Sequence, residues 1–255
     1  MDLQLDESLG ENYKSKLQKV RVMSETWLFE NVYCPCCGNP HIEKMENNSP
    51  VADGQCDFCG EIFELKSKQN HFGAKIVDGA YDKMITRITS QTNPQLLLMQ
   101  YSPKFLVTDL MLIPKFFFTV NIIEKRKPLS PGARRAGWVG CNILYRAVPA
   151  QGQLPIICDG KINDVDEVVN RYKKIKRLQN NQLESRGWLM DVLNCVNDIG
   201  EEIFTLQQVY EYIDALKIKH GDNHNIAAKI RQQLQFLRDK GFLEFVGRGI
   251  YRKVR

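Results

Sequence analysis

A chain of 255 residues with 43% hydrophobic and 25% charged residues can bury a sizeable core, which excludes a chain disordered throughout and favours a larger domain joined to a smaller one. Thirty-five Lys and Arg against thirty Asp and Glu leave a net charge of +5, too little to identify a partner, so only its distribution is informative. The opening "MDLQLDESLGENYKSK" lacks an apolar leader core and no run of eighteen apolar residues follows, so secretion and membrane spanning are disfavoured and a soluble cytoplasmic protein is expected.

Residues 11–30, with Leu17, Val20, Val22 and Trp27 among Lys and Glu, suit an N-terminal helix or pair of helices. A cysteine-rich stretch spans 34–59, and "EIFELKSK" then reads as a strand, with Ile62, Glu64 and Lys66 on one face and Phe63 and Leu65 on the other. "GAKIVDGAYDKMITRITSQ" predicts a helix, and "QLLLMQY" and "FLVTDLMLIP" are apolar runs of strand length. Together they imply a mixed sheet flanked by helices. The stretch 124–138, "EKRKPLSPGARRAGW", is a loop with five basic residues against one acid, and loops of this length usually have a job. A basic helix, "VDEVVNRYKKIKRLQNN", leads to a polar boundary near 180–183.

Beyond it, "SRGWLMDVLNCVNDI", "TLQQVYEYIDALKIK" and "NIAAKIRQQLQFLRDKG" have helical spacing, the third with an apolar stripe of Ile226, Ile230, Leu234 and Leu237. "FLEFVGRGIYRKV" then makes two short strands around Gly247-Arg248-Gly249. Three helices followed by a hairpin is the order of a winged helix. Residues 184–222 hold three Lys or Arg against eight Asp or Glu, net −5, whereas 229–255 hold eight against two, net +6. Phosphate attraction predicts that asymmetry, because the third helix and wing approach a duplex while the first two helices pack. Lys229, Arg231, Gln232, Gln233 and Arg248 are the candidate contacts, although one helix cannot turn all of them to one groove. The bland alternative is a helical protein-interaction domain.

Eight cysteines without an export signal point to reduced thiols, where close pairs more often take metal than form disulfides. Cys34 and Cys37 in "CPCC" and Cys56 and Cys59 in "CDFC" form two CxxC pairs eighteen residues apart, a spacing that supplies a tetrahedral sulfur cage for structural Zn²⁺. Cys36 offers a second register through a CxC chelate with Cys34. Cys141, Cys158 and Cys195 read as isolated core cysteines, and His41 as a solvated loop residue.

Asp53, ten residues, then Glu64-Leu65-Lys66 matches an arrangement in which two carboxylates, joined by the Leu65 carbonyl, converge on Mg²⁺. Lys66 would position a nucleophilic water or stabilise charge on a pentavalent phosphorus. The alternative is an exposed charged strand edge. A neighbouring zinc loop, a basic loop and a DNA-binding end favour a nuclease.

The stretches "YCPCCGN", "ENNSPVAD", "FELKSK", "DGAY", "RKPLSPGARRAGWVGCNI", "SRGW", "IRQQLQFLRDK" and "GRGIYRK" resemble the methyl-directed restriction endonucleases of the PD-(D/E)xK superfamily along both parts of the chain. The resemblance implies a restriction-endonuclease-like α/β (α+β) domain over 1–182 with the four-cysteine zinc knuckle at 34–59 inserted, and a winged-helix DNA-binding domain over 183–255. It implies Mg²⁺-dependent blunt cleavage of double-stranded DNA within GATC carrying N6-methyladenine; no small-molecule cofactor is expected, and, with no self-complementary surface legible in the sequence, a monomer is expected. Carried over to this chain, the catalytic set is Asp53, Glu64 and Lys66, and the knuckle cysteines are the zinc ligands.

Adenine N6-methyl adds apolar surface in the major groove, so its reader needs an apolar contact there. Trp138, between flanking glycines, is the candidate, with Arg134 and Arg135 for phosphate or guanine; the other reading places Trp138 in the core. Trp27 and Trp188 fall in helical patterns and read as core. Two further functions compete with the restriction enzyme: a non-catalytic zinc-containing methyl-DNA regulator and a structure-directed repair nuclease.

Overall fold

The structure is a computed structural model that describes residues 1–45, 52–90, 92–179 and 182–254. Residues 46–51, most of "ENNSPVAD", and 180–181 of the polar boundary lie outside the described residues, as do 91 and 255.

The first unit begins with a short 3-10 turn, Glu7–Gly10, capped by Asp6, and the helix α1, Lys16–Asn31. α1 buries Val20, Met23, Trp27 and Leu28 and seats itself further by a Trp27 Nε1 hydrogen bond to the Asp2 carbonyl at 2.7 Å. The strands β1 (Glu43–Lys44), β2 (Gly54–Gln55) and β3 (Ile62–Gln69) follow, then β4 (Ile76–Ala80) and α2 (Tyr81–Thr89). The expected helix over 73–91 is therefore half wrong. Ile76 and Val77 pair with Ile143 and Asn142 of a later strand, tertiary pairing that β-branched residues favour, and Gly79 weakens any helix there.

β5 (Gln95–Tyr101) and β6 (Val107–Ile113) occupy the two apolar runs. β7 (Ile123–Lys125) and β8 (Gly140–Ile143) flank the basic loop, and β9 (Leu154–Cys158), β10 (Lys161–Ile162) and the helix α3 (Val165–Lys176) complete the unit. The large sheet has the order β1-β2-β3-β5-β6-β9-β10 and is antiparallel except for the β3–β5 pair. β5 is buried from Gln95 to Met99, so both its faces are covered and it reads as a continuous apolar run. α3 starts at Asp164, whose carboxylate accepts the Glu167 N–H, and its buried Tyr172 hydroxyl accepts from Gln95 at 2.9 Å. A second sheet, β4-β8-β7, stands apart from the first and carries the basic loop at one end.

The C-terminal unit runs α4 (Leu183–Asp198), β11 (Ile203–Thr205), α5 (Leu206–Tyr210), α6 (Ile213–Lys219), α7 (Ile226–Asp239), β12 (Leu243–Gly247) and β13 (Ile250–Lys253). The expected middle helix is two short ones, with Thr205 and Gln208 closing a capping box at the start and Tyr212 outside helical geometry at the break. β11 joins the hairpin in a three-stranded sheet ordered β11-β13-β12, and Gly249 takes the positive φ that the turn requires. Ile226, Ile230, Leu234 and Leu237 are all buried, as their spacing predicts.

α4 is buried from Arg186 to Leu193, around its whole circumference, because it lies between the two units. Arg186 donates to the carbonyls of Ile88 and Phe118, Asn121 reaches the Asp191 carboxylate at 3.2 Å, and Gln151 and Asn197 exchange hydrogen bonds of 2.9 Å. Trp27 and Trp188 are core residues, as expected, with Trp188 stacked on His220 at 3.9 Å. Cys141 and Cys195 are buried, but Cys158 is exposed: it ends β9 at an edge hairpin, where no further layer covers it.

Candidate functional site

Two similar turns build the knuckle. In each, a CxxC pair is followed by a glycine whose N–H bonds back to the first cysteine's carbonyl at 2.8 Å, Gly38 to Cys34 and Gly60 to Cys56, with φ of +88° and +72°. The sulfurs of Cys34, Cys37, Cys56 and Cys59 then lie within 4.8 Å of one another. Cys34 Sγ–Cys59 Sγ and Cys37 Sγ–Cys56 Sγ are both 3.7 Å. A tetrahedron with Zn–S near about 2.3 Å has edges of about 3.8 Å, so the cage has the dimensions of a four-thiolate zinc site. Burial raises the Cys37 thiol to about 11 and raises Cys59 as well, whereas hydrogen bonds from the backbone of Cys59 and Phe58 hold Cys56 down against its burial. Cys36 is buried beside Tyr172 and stands outside the cage, and the exposed His41 does not join it.

The second turn is also the tip of a hairpin. β2 pairs antiparallel with β3, Gly54 opposite Phe63 and Gln55 opposite Ile62, so the ten residues between Asp53 and Glu64 fold back on themselves. Asp53 N–H donates to the Phe63 carbonyl and Asp53 Oδ2 accepts the Leu65 N–H, both at 2.8 Å. The hairpin needs a glycine at 54, where a Cβ would stand 2.5 Å from the Phe29 ring of α1. Thus the knuckle turn delivers the aspartate to the strand that carries the ExK residues.

Asp53, Glu64, Leu65 and Lys66 line one cleft of about 600 Å³ whose opposite wall is α1, with Arg21 and Glu25 facing in. Arg21 binds Glu25 at 2.5 Å and approaches Asp53 Oδ1 at 3.9 Å. Lys66 Nζ sits between Glu64 Oε1 at 2.7 Å and Asp78 Oδ1 at 3.0 Å, and Arg87 of α2 holds Glu64 Oε2 at 3.1 Å. Burial alone would lower the Lys66 ammonium; the Glu64 and Asp78 carboxylates reverse that and hold it above the usual lysine value. Glu25, Asp78 and Arg87 were not singled out from the sequence. "DGAY" is conspicuous there only as part of the resemblance, and no spacing rule joins Asp78 to Lys66 or Arg87 to Glu64.

The basic loop hangs between β7 and β8, anchored where Arg126 N–H donates to the Gly140 carbonyl and Tyr81 N–H to that of Val139. Arg134 and Arg135 are exposed. Trp138 is half-buried: its ring lies over Gly140, where a Cβ would come within 2.7 Å, and the Arg135 guanidinium covers it at 4.6 Å. It is thus absent from the packed interior that holds the other two tryptophans.

On α7 and the wing, Arg231, Gln232 and Arg248 are exposed and Lys229 is half-buried. Arg231 donates to the Tyr210 hydroxyl at 2.6 Å. Gln233 is only 6% exposed and packs inward, which corrects its choice as a contact: at 3.6 residues per turn it follows Ile230 onto the buried side.

Residues 1–181 match the family described as DpnI, Dam-replacing family, and residues 184–253 match the Dam-replacing HTH domain, a DNA-binding unit. Both parts are matched, and the chain belongs to the DpnI family of Dam-replacing, methyl-directed endonucleases.

Proposed function

We propose that the protein is a type II methyl-directed restriction endonuclease that cuts double-stranded DNA at GATC containing N6-methyladenine, leaving blunt ends. In this reading residues 1–182 cut and 183–255 help to read the site, in a cytoplasmic monomer. The GATC sequence and the blunt ends come from the family resemblance. The chemistry is supported by one observation above all, the Leu65 N–H to Asp53 bond, because it brings a second carboxylate to the strand that carries Glu64 and Lys66.

The donor set in the cleft suits a hard divalent cation such as Mg²⁺: carboxylate oxygens from Asp53 and Glu64 and the Leu65 carbonyl, with no thiol or imidazole among the described residues that line the cleft. Such a cation, when bound, polarises the scissile phosphate and acidifies a bound water. Asp53 and Glu64 would fix that charge in place, and Lys66, a half-buried ammonium, would offer hydrogen bonds to the attacking water or to the oxygens of the pentavalent phosphorus. Zn²⁺ in the four-cysteine cage has no ligand position left for chemistry and braces the hairpin. Trp138 supplies the apolar surface for the methyl groups, with Arg134, Arg135, Lys229, Arg231, Gln232 and Arg248 as the polar contacts.

The test is digestion of plasmid DNA prepared with and without adenine methylation, in Mg²⁺. Cutting of the methylated plasmid alone, into discrete fragments, is the expected result; cutting of neither, or of both equally, overturns the reading. Lys66→Ala separates it from a non-catalytic regulator, since the nuclease keeps binding and loses cutting.

A further inference from the structure

Asp78 has no role in the reading above, yet it is the second carboxylate on the proposed catalytic lysine. It comes from β4, in a different sheet from Glu64 and Lys66, and its side chain is 8% exposed. Oδ1 accepts both Lys66 Nζ at 3.0 Å and the Gly79 N–H at 2.6 Å. Oδ2 is buried and has no hydrogen-bond partner among the described residues. A buried carboxylate oxygen left without a donor is costly, so it is an acceptor held open.

Glu64 has the opposite difficulty. Both of its oxygens are engaged by cations, Oε1 by Lys66 and Oε2 by Arg87. A divalent cation that uses Glu64 competes directly with Lys66 for the same carboxylate. The ammonium then needs another anion close by, or it repels the incoming charge across a poorly screened gap.

We propose that Asp78 is a positioning residue: it takes Lys66 off Glu64 as the divalent cation binds, accepting the ammonium on both oxygens and keeping it beside the reacting phosphate. The inference rests on the nuclease reading for its purpose but not for its test. β4 is hydrogen-bonded to β8, with Asp78 opposite Cys141 and Ala80 opposite Gly140, so the same strand pair that supports the Trp138 loop sets where Lys66 stands.

The test is a double-mutant cycle on Mn²⁺ binding, followed by calorimetry and electron paramagnetic resonance on the full, zinc-loaded chain without DNA. Asp78→Asn weakens Mn²⁺ binding on the order of 10-fold in the wild-type background and has no effect when Lys66 is replaced by Met. Equal weakening in both backgrounds means that Asp78 acts on the cation directly, and no weakening in either makes it a bystander; both overturn the proposal. If the Asn variant melts below the wild type, Asp78→Ser removes the same charge with a smaller side chain and repeats the cycle. Single-turnover cutting of methylated plasmid by Asp78→Asn falls on the order of 10- to 100-fold with duplex binding unchanged. A wild type that binds Mn²⁺ and shows the cycle but cuts nothing overturns the nuclease reading alone. A wild type that cuts but gives a flat cycle overturns only the role of Asp78.

Discussion

Asp53 Oδ2 accepts the backbone N–H of Leu65 at 2.8 Å. The aspartate is therefore tied to the ExK strand by main chain, independent of any ion, and the tie survives only while the knuckle turn at the hairpin tip keeps its shape. The four-cysteine cage at the tip and the carboxylates at the base become one mechanical unit.

Cys37→Ser removes one sulfur of the cage and is expected to abolish stoichiometric zinc, lower the melting temperature and reduce cutting together. Cys36→Ser leaves the cage whole and keeps one zinc per chain. Metal content by plasma mass spectrometry, read beside thermal melting, distinguishes the two. Equal zinc loss in both variants would reverse the assignment of the ligand register.

Trp138 and Gly140 are coupled by contact. Trp138→Ala removes the apolar surface offered to the methyl group, worth about 1 kcal/mol per methyl, and should cut the preference for methylated over unmethylated duplex about fivefold for each methyl read by the loop. Gly140→Ala places a Cβ within 2.7 Å of the indole and should reproduce part of that loss without touching DNA itself. Competition binding with the two duplexes in Ca²⁺ measures both.

On the C-terminal unit, Lys229→Ala and Arg248→Ala should each weaken binding to methylated and unmethylated duplex alike and lower the salt slope of log K by about 1, the signature of a lost phosphate contact. Gln233→Ala should leave that slope alone and lower the melting temperature, because its side chain is packed inside.

Asp191 links α4 to Asn121 in the first unit and to Lys219 and His220 in its own. Burial alone would raise it, but hydrogen bonds from His220 and Lys219 hold it below the usual carboxylate value. A depressed folded value contributes stability above the unfolded value, near about 4, and that stability is lost as pH falls through the folded value below it. Asp191→Asn should therefore lower the melting temperature at pH 7 and flatten its fall as pH drops below about 4. An unchanged acid limb would assign the pH dependence to other carboxylates such as Glu61, which Lys115 holds down in the same way.

Regular spacing made several features legible. CxxC pairs and the stripe on α7 are local patterns whose geometry follows from two or four residues, whereas β3 is a strand as expected but buries only Phe63, and Leu65 lines the cleft with Glu64 and Lys66. The helix expected over 73–91 failed where a distant strand decided the matter, since Ile76 and Val77 are strand only because β8 lies beside them. The break between α5 and α6 has no Gly or Pro to announce it. Asp78 and Arg87 were hidden for a related reason: each meets its partner across a sheet or helix boundary, and a pairing made by the fold leaves no periodic trace in the chain.

The enclosure of α4 on every side has a consequence for how the molecule can be taken apart. A fragment that starts at Leu183 would present to water the side that meets the Phe118–Ala147 region, and a fragment that stops before it would uncover the matching floor on the other half. Neither half is a portable cassette: transplanting the C-terminal reader onto another enzyme would require repainting that helix with polar side chains.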